Sequence, residues 1–117
     1  MNYPWLDAYC LSLKGAQKDF KVEWGATRYL LYDKMFAMVG GDKSGKPIVS
    51  LKLAPENGEV LRTTYEDIIP GYYMNKVHWN SVYLEGSVPD EVLKKMITES
   101  HDLIFNGLTK KQRALLE

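Results

Sequence analysis

Apolar side chains near the start of the chain recur at the spacing of a helix. Within residues 4–13 these side chains lie three or four positions apart: Leu6, Tyr9, Cys10 and Leu13. Because this spacing places them on one face, residues 4–13 are predicted to form an amphipathic helix. Pro4 suits its first turn, and Gly15 is typical of a helix end.

From Phe20 onward the apolar period shortens to two, which is typical of β-strands. Four strands are predicted, over residues 21–24, 27–32, 35–39 and 48–53. Asp33 and Lys34 form a two-residue gap that is typical of a tight hairpin, and the glycine-rich loop 40–47 joins the last two strands. Because these connections are short, the four strands are predicted to form an antiparallel meander.

The second half of the chain carries a helix, a turn and a fifth strand. The predicted short helix covers residues 56–65, and residues 68–71 are predicted to form a turn. Residues 72–80 as a whole follow neither period. The segment 79–84 nevertheless alternates and is predicted to be the fifth strand.

The longest helix is predicted near the C-terminus. Ser87 stands three positions before Asp90, which is the spacing of a capping box. Apolar positions then recur every three or four residues over 92–104, and Gly107 ends the pattern.

A second capping box begins the last predicted element. Thr109 stands three positions before Gln112, and the short helix that follows carries Leu115 and Leu116. No repeat, low-complexity segment or linker interrupts the chain, so residues 1–117 are predicted to form a single domain.

Composition agrees with one globular domain. The chain has 117 residues, of which 45% are hydrophobic and 26% charged, unlike a disordered or collagen-like chain. Lys and Arg total 15, and Asp and Glu total 15, so the formal net charge is zero. This balance excludes strong polyanion binding driven by total charge.

The length of the apolar segments and the number of cysteines predict a cytoplasmic location. The apolar runs fall far short of the roughly 20 residues that cross a bilayer, and the first residues lack the pattern of a signal peptide. Cys10 is the single cysteine, which fits a reducing cytoplasm. No basic residue is adjacent to Cys10 in sequence, so it is predicted to pack in the core rather than act as a nucleophile.

No motif predicts catalysis, a cofactor or a metal, so the chain is expected not to be an enzyme. The loop before Lys46 has the glycine spacing of a phosphate-binding loop, but Pro47 replaces the hydroxyl residue and a strand follows. His78 and His101 have no cysteine or carboxylate at ligand spacing. Ser100, on an apolar helix face, is predicted to bond to the carbonyl four positions earlier.

The most informative segment, residues 70–80, combines aromatic rings with cationic and amide side chains. Its candidate residues are Tyr72, Tyr73, Lys76, His78 and Trp79. Two interpretations stay open. Either the rings cover one end of the sheet while His78 and Asn80 bond to loop carbonyls, or the segment forms a recognition surface. Such a surface would suit nucleic acid, a peptide or a small anion.

A basic cluster near the C-terminus is the second candidate. Lys110, Lys111 and Arg113 fall in the first turn of the last predicted helix. Cations there oppose the helix dipole. They are therefore either simply solvated, or they hold a phosphate or another anion beside the helix N-terminus.

Two stretches carry specific motifs. Residues 71–90 read Gly-Tyr-Tyr-Met-Asn-Lys-Val-His-Trp-Asn-Ser-Val-Tyr-Leu-Glu-Gly-Ser-Val-Pro-Asp, and residues 108–113 read Leu-Thr-Lys-Lys-Gln-Arg. With residues 10–16 and 35–38, they make essentially the whole chain resemble the bacterial YjbR/MmcQ family. His101 departs from the resemblance, because the family usually carries an aromatic residue there. That change is expected to alter packing or an adjoining pocket, and not the fold.

The resemblance implies an α+β fold of the CyaY-like (frataxin-like) type. This is a two-layer sandwich with an N-terminal helix, a twisted antiparallel sheet of about five or more strands, and C-terminal helices packed on one face. The resemblance also implies DNA binding without an established catalytic activity. It does not extend to the iron-binding role of frataxins, because their acidic ridge is reduced here to Asp7 and Asp19.

The first functional hypothesis is a cytoplasmic, non-enzymatic module that binds double-stranded DNA or another anionic partner. Its candidate contacts are Lys52, Lys76, His78, Trp79, Lys110, Lys111 and Arg113. The alternative is a protein- or small-ligand-binding module that uses the aromatic surface from Tyr72 to Trp79, including Tyr73, as a groove. Under both hypotheses we expect no cofactor, no membrane contact and a monomer.

Overall fold

An antiparallel sheet and a layer of helices make up the computed structural model, which describes residues 1–71 and 74–117. The helices are α1 (Leu6–Ser12), α2 (Pro55–Thr64), α3 (Asp90–Asn106) and α4 (Lys110–Leu116). The strands are β1 (Gln17–Lys21), β2 (Ala26–Leu31), β3 (Lys34–Gly41), β4 (Pro47–Lys52), β5 (Ile68–Pro70) and β6 (Trp79–Tyr83). The strand order is β1-β2-β3-β4-β6-β5, and all neighbours pair antiparallel.

This architecture confirms the predicted two-layer α+β sandwich, with the four-strand meander and the helices of the sequence pattern. The helices cover a single face of the sheet, because strand residues of that face belong to the same buried cluster as helix residues. On β4 the alternating residues Val49 and Leu51 contribute to this cluster, and on α3 Leu93 and Ile97 do so. Among the described residues, no helix has both the length and the apolarity to span a bilayer.

Two strand predictions were wrong. Residues 21–24 were expected to form the first strand, but β1 covers Gln17–Lys21 and a 3₁₀ turn covers Val22–Trp24. Gly25 then adopts a φ of +60°, a left-handed conformation that favours glycine and reverses the chain into β2. Residues 68–70 were expected to form a turn, but they pair with β6 as the edge strand β5.

The two hairpins that flank β3 also differ in detail. The turn between β2 and β3 consists of Tyr32 and Asp33, because Leu31 pairs with Lys34, so it lies one residue earlier than predicted. The predicted polar loop before β4 is confirmed, although Gly40 and Gly41 belong to β3.

The capping box predicted at the start of α3 is wrong. The residue before the helix is Pro89, and no side chain caps the first turn. The backbone N–H and the Oγ of Ser87 instead donate to Oδ2 of Asp67, at 3.0 and 3.4 Å. Ser87 therefore holds the loop before α3 against the loop before β5.

Ser100 connects α3 to the sheet. The predicted hydrogen bond from its hydroxyl to the carbonyl four positions earlier in the helix was wrong. Tyr29 pairs with Ala37 and the next residue of β2 pairs with Met35, so Phe36 is an extra residue in β3, a β-bulge. The fully buried Ser100 hydroxyl donates to the carbonyl of Phe36 at 2.5 Å and accepts from the N–H of Lys52 at 2.8 Å. It thus satisfies backbone groups of both β3 and β4 at the bulge.

Replacing Ser100 with alanine should lower the free energy of unfolding by about 1–3 kcal/mol, because two buried backbone groups lose their partner. Urea unfolding followed by circular dichroism measures this change. Thr63→Ala is the matched control, since its hydroxyl bonds an exposed helix carbonyl at 2.9 Å, and it should change stability by less than about 0.5 kcal/mol. Equal stability of the two variants would contradict the assigned role of Ser100.

Candidate functional site

The sheet face opposite the helices carries a groove, and in the described part of the chain no helix covers it. This helix-free face follows from register, since Arg28, Met38, Ser50 and Ser81 lie side by side across the sheet. These residues alternate with the side chains of the buried cluster, so they point away from the helices. The groove on this face has a volume of about 640 Å³.

The floor of the groove is apolar, and a glycine occupies one of its positions. Gly40 pairs with Ile48 and lies beside Ala26 in the sheet, with Met38 two residues earlier on the same face. Met38 and Ile48 are buried although no helix packs on them. Because Gly40 has no side chain, space stays open above this row. In the neighbouring row, the buried hydroxyls of Ser50 and Ser81 hydrogen-bond to each other at 2.8 Å.

Trp24 forms one wall of the groove and is held by cations. The Lys21 ammonium lies 5.5 Å and the Arg28 guanidinium 5.7 Å from the centroid of the Trp24 ring. Both cations also face carboxylates: Lys21 lies 3.6 Å from Glu23, and Arg28 donates two hydrogen bonds to Asp19. Those bonds hold the pKa of the Asp19 carboxyl below its ordinary value. The rim around Trp24 is therefore charged but balanced.

Trp79 and Met74 line the opposite side of the groove. The carbonyl of Trp79 accepts from the N–H of Gly71 at 2.7 Å, and a Cβ on Gly71 would lie 2.7 Å from the Cβ of Trp79. Only glycine permits this approach. The Lys76 ammonium donates to the Gly71 carbonyl at 2.9 Å, so Lys76 is held at the same point.

The structure brings together some residues predicted from the 70–80 segment. Lys52 and Trp79 oppose each other on β4 and β6, so they share the helix-free face, and Lys76 lies in the adjoining loop. His78 is half-buried, and its carbonyl accepts from the N–H of Leu53 and, at 3.3 Å, from the side chain of Asn80. The expected bond from Asn80 to a loop carbonyl is thereby confirmed. Tyr72 and Tyr73 lie outside the described residues.

The C-terminal basic cluster lies on another element. The helix α4 contacts the β2–β3 turn, where the Tyr32 hydroxyl donates to the Gln112 carbonyl at 2.9 Å. Three strand spacings, roughly 14 Å, separate β2 from β6. Lys110 and Lys111 are exposed, and neither pairs with a carboxylate within residues 1–71 and 74–117. No contact joins them to the Lys52–Trp79 pair in the described contacts.

Two features of α4 argue against an anion at its N-terminus. The Arg113 guanidinium donates to the carbonyls of Leu108, at 2.7 Å, and Asn106, at 3.3 Å, so it satisfies the end of α3. The predicted capping box is confirmed, because the Thr109 hydroxyl accepts from the N–H of Gln112 at 3.1 Å. A first-turn amide that an anion would need is already occupied.

Sequence reasoning missed the groove residues outside the 70–80 segment. Trp24 and Met38 were assigned to strands without a functional role, and Gly40 to a loop. A usable signal existed, since three of the five methionines in the chain line this one groove: Met35, Met38 and Met74. Methionine side chains are adaptable and are common on surfaces that bind varied apolar partners.

A smaller cavity, of about 390 Å³, lies on the outer side of α1 and α3. Three of its polar side chains already have partners: the Tyr9 and Thr98 hydroxyls bond to each other at 2.6 Å, and Glu99 accepts from the N–H of Ala54 at 2.9 Å. Lys94 lies over the rings of Trp5 and Tyr9. The groove on the helix-free face is therefore the stronger candidate.

Comparison with known proteins identifies the family. The family model YjbR matches residues 11–103. The chain belongs to the YjbR family. It is 38% identical over 108 residues to the uncharacterized protein YjbR of Escherichia coli K12, which covers 92% of this chain and 91% of the relative. It is 33% identical over 103 residues to the uncharacterized protein YyaQ of Bacillus subtilis 168, covering 87% of this chain and 82% of the relative.

Solved structures share this YjbR-family fold. The crystal structure of Deinococcus radiodurans protein DR2400, domain DUF419, is 32% identical, with a TM-score of 0.82 over 95% of this chain and 84% of that one. A crystal structure from Pseudomonas syringae is 23% identical, with a TM-score of 0.77 over 89% of this chain and 99% of that one. The second likeness bears on the fold alone.

His101, the residue that departs from the YjbR-family pattern, lies in the core rather than in the groove. It is buried, its ring meets Phe36 edge-on and stacks with Phe105 at 6.0 Å, and its Nε2 lies 2.8 Å from the Lys14 carbonyl. The His101 ring therefore belongs to the core and connects α3 to the loop between α1 and β1. Its expected effect on packing relative to the family stays a prediction.

Cys10 should be unreactive in the folded protein. Its side chain is fully buried, and burial raises the pKa of the thiol to about 12. Native protein at pH 8 should therefore react with Ellman's reagent at least about tenfold more slowly than the chain unfolded in guanidinium. Equal rates in the two states would contradict the packing role assigned to this cysteine.

Proposed function

We propose that this YjbR-family protein is a non-enzymatic binding module whose groove on the helix-free face takes up a small, neutral, largely apolar ligand. The observation that carries the proposal is the concave space between Trp24 and Trp79, with Gly40 leaving its floor open. Its volume of about 640 Å³ lies within the roughly 300–1,000 Å³ typical of small-molecule sites.

The lining supports an apolar or aromatic ligand. Two indole rings offer flat faces, and three thioethers and Ile48 supply adaptable apolar surface. The only ionisable side chain among the described lining residues is Glu23, which already faces Lys21 at 3.6 Å. A cationic ligand would have to displace Lys21 from Glu23, and an anionic ligand would meet the Glu23 carboxylate, whereas a neutral ligand does neither.

The absence of a second titratable group beside Glu23 in the described lining also supports binding without catalysis. General acid–base or nucleophilic chemistry needs a convergent pair of groups, one of them activated by the other. The buried hydroxyls of Ser50 and Ser81 hydrogen-bond to each other at 2.8 Å. Affinity from apolar contact is what this lining can supply.

Double-stranded DNA, which the family resemblance implied, is less well supported. Of the four cations proposed to contact phosphate in the C-terminal cluster and the 70–80 loop, Arg113 and Lys76 donate to backbone carbonyls. Lys110 and Lys111 are on α4, apart from Lys52. Three phosphate contacts would give a slope of log K against log salt of only about −2.7. DNA binding stays a prediction of the resemblance.

Titration with Nile red, a neutral aromatic dye, tests the groove. We expect saturable binding with a rise in dye fluorescence, quenched or shifted tryptophan emission, and at least about tenfold weaker affinity for Trp24→Ala and Gly40→Leu. The first variant removes a wall. The second fills the floor with little strain, because a Cβ on Gly40 would lie 3.4 Å from that of Ala26.

Two variants serve as controls for the dye titration. Val60→Ala changes an exposed apolar residue on α2, and Lys110→Ala with Lys111→Ala removes the free cations of α4. Both should bind the dye like the original protein. If the dye does not saturate, or if Trp24→Ala and Gly40→Leu bind it normally, the groove proposal is wrong. Duplex DNA binding at low salt that is lost in the double lysine variant would favour the DNA hypothesis instead.

A further inference from the structure

The two edges of the sheet are protected to different degrees. The edge strand β5 has three residues and ends in Pro70, which has no N–H to offer another strand. The other edge strand, β1, has five residues and no proline. Because β1 is the last strand in the order, its outer N–H and C=O groups have no strand partner within residues 1–71 and 74–117. Such an edge is a template for pairing with another strand.

Exposed apolar side chains accompany this edge. Phe20 on β1 is 60% exposed, and Val22, just after it, is 76% exposed. Trp24 follows at 56% and belongs to the groove. Alternation places Phe20 on one face of the strand, between Asp19 and Lys21 on the other. The edge thus offers backbone groups, an aromatic ring and both signs of charge.

We propose that two copies of this chain associate by antiparallel pairing of their β1 strands about a two-fold axis at Phe20. In this register the two Phe20 rings oppose each other, and Asp19 of each copy opposes Lys21 of the other. Opposite charges and aromatic rings in directly opposed positions stabilise antiparallel pairs. The sheet then continues from one copy into the next, with the same surface used by both.

Charge selects this register over its neighbours. A two-fold axis at Asp19 would oppose the two Asp19 carboxylates, and an axis at Lys21 would oppose the two Lys21 ammonium groups. Both arrangements bring like charges together. Within each copy Asp19 already binds Arg28, and Lys21 faces Glu23. The proposed register joins these pairs into networks of four alternating charges.

The association is expected to be weak. With the axis at Phe20, the two strands oppose each other over Asp19–Lys21 only, because Val22–Trp24 of each copy form a 3₁₀ turn. This overlap buries less than the roughly 1,200 Å² of a stable interface. We therefore expect a monomer at low micromolar concentration and an increasing fraction of dimer as the protein concentration approaches about 1 mM. Dimer formation does not depend on the groove ligand, so it can be tested separately from the proposed function.

Sedimentation equilibrium with exchanged charges tests the register. Lys21→Glu would oppose a glutamate to Asp19 of the other copy, and Asp19→Lys would oppose a lysine to Lys21. Each variant alone should therefore dimerise at least about tenfold more weakly than the original chain. Mixed in equal amounts, the two variants should associate again, because every opposed pair then carries opposite charges. Recovery in the mixture supports this register specifically.

Two further measurements complete the test. Phe20→Cys should form a disulfide-linked dimer on mild oxidation at high concentration. Lys18→Cys should do so much less, since the two copies of residue 18 would lie four strand positions apart, roughly 13 Å. The original chain is the control for Cys10, which is buried. Val60→Asp, at a similarly exposed apolar site on α2, should dimerise normally. A chain that stays monomeric at about 1 mM, or a mixture that fails to recover association, overturns the proposal.

Discussion

The packing of α3 across β3 and β4 is the constraint on which the rest of the structure depends. A β-bulge at Phe36 interrupts the pairing there, and the buried hydroxyl of Ser100 satisfies the backbone groups that the bulge leaves open. A bulge without this hydroxyl would leave buried polar groups unpaired. Glu99, the preceding residue, accepts from the N–H of Ala54 and so fixes the start of α2. One turn of α3 thereby sets both the sheet and the next helix.

Placing the helices on one face leaves the other face to be covered by loops, and this explains the groove. The 3₁₀ turn of Val22–Trp24 and the loop that contains Lys76 approach that face from opposite sides. Each is held by local contacts: Trp24 by two cations, and the loop by bonds to Gly71. Apolar residues on both sides of Gly40 therefore line a space that the described part of the chain leaves open.

Local pattern predicted the elements whose burial is periodic, and it could not predict contacts between distant residues. The helix α3 and the strands β2 to β4 follow directly from apolar spacing. The predicted cap at Ser87 and the predicted bond of Ser100 were wrong because their partners, Asp67 and Phe36, lie 20 and 64 residues away. The edge strand β5 has only three residues and exists because β6 pairs with it.

The site predictions show the same limit in terms of charge. Arg113 and Lys76 read in the sequence as cations available to a ligand, yet both donate to backbone carbonyls at the ends of elements. Exposed carbonyls at helix ends and tight turns compete for cations with any anionic partner. A basic cluster in a sequence therefore indicates an anion site only after those carbonyls are accounted for. Among the candidate cations of this chain, Lys52, Lys110 and Lys111 stay available to an anionic partner. The proposed groove ligand needs no cation.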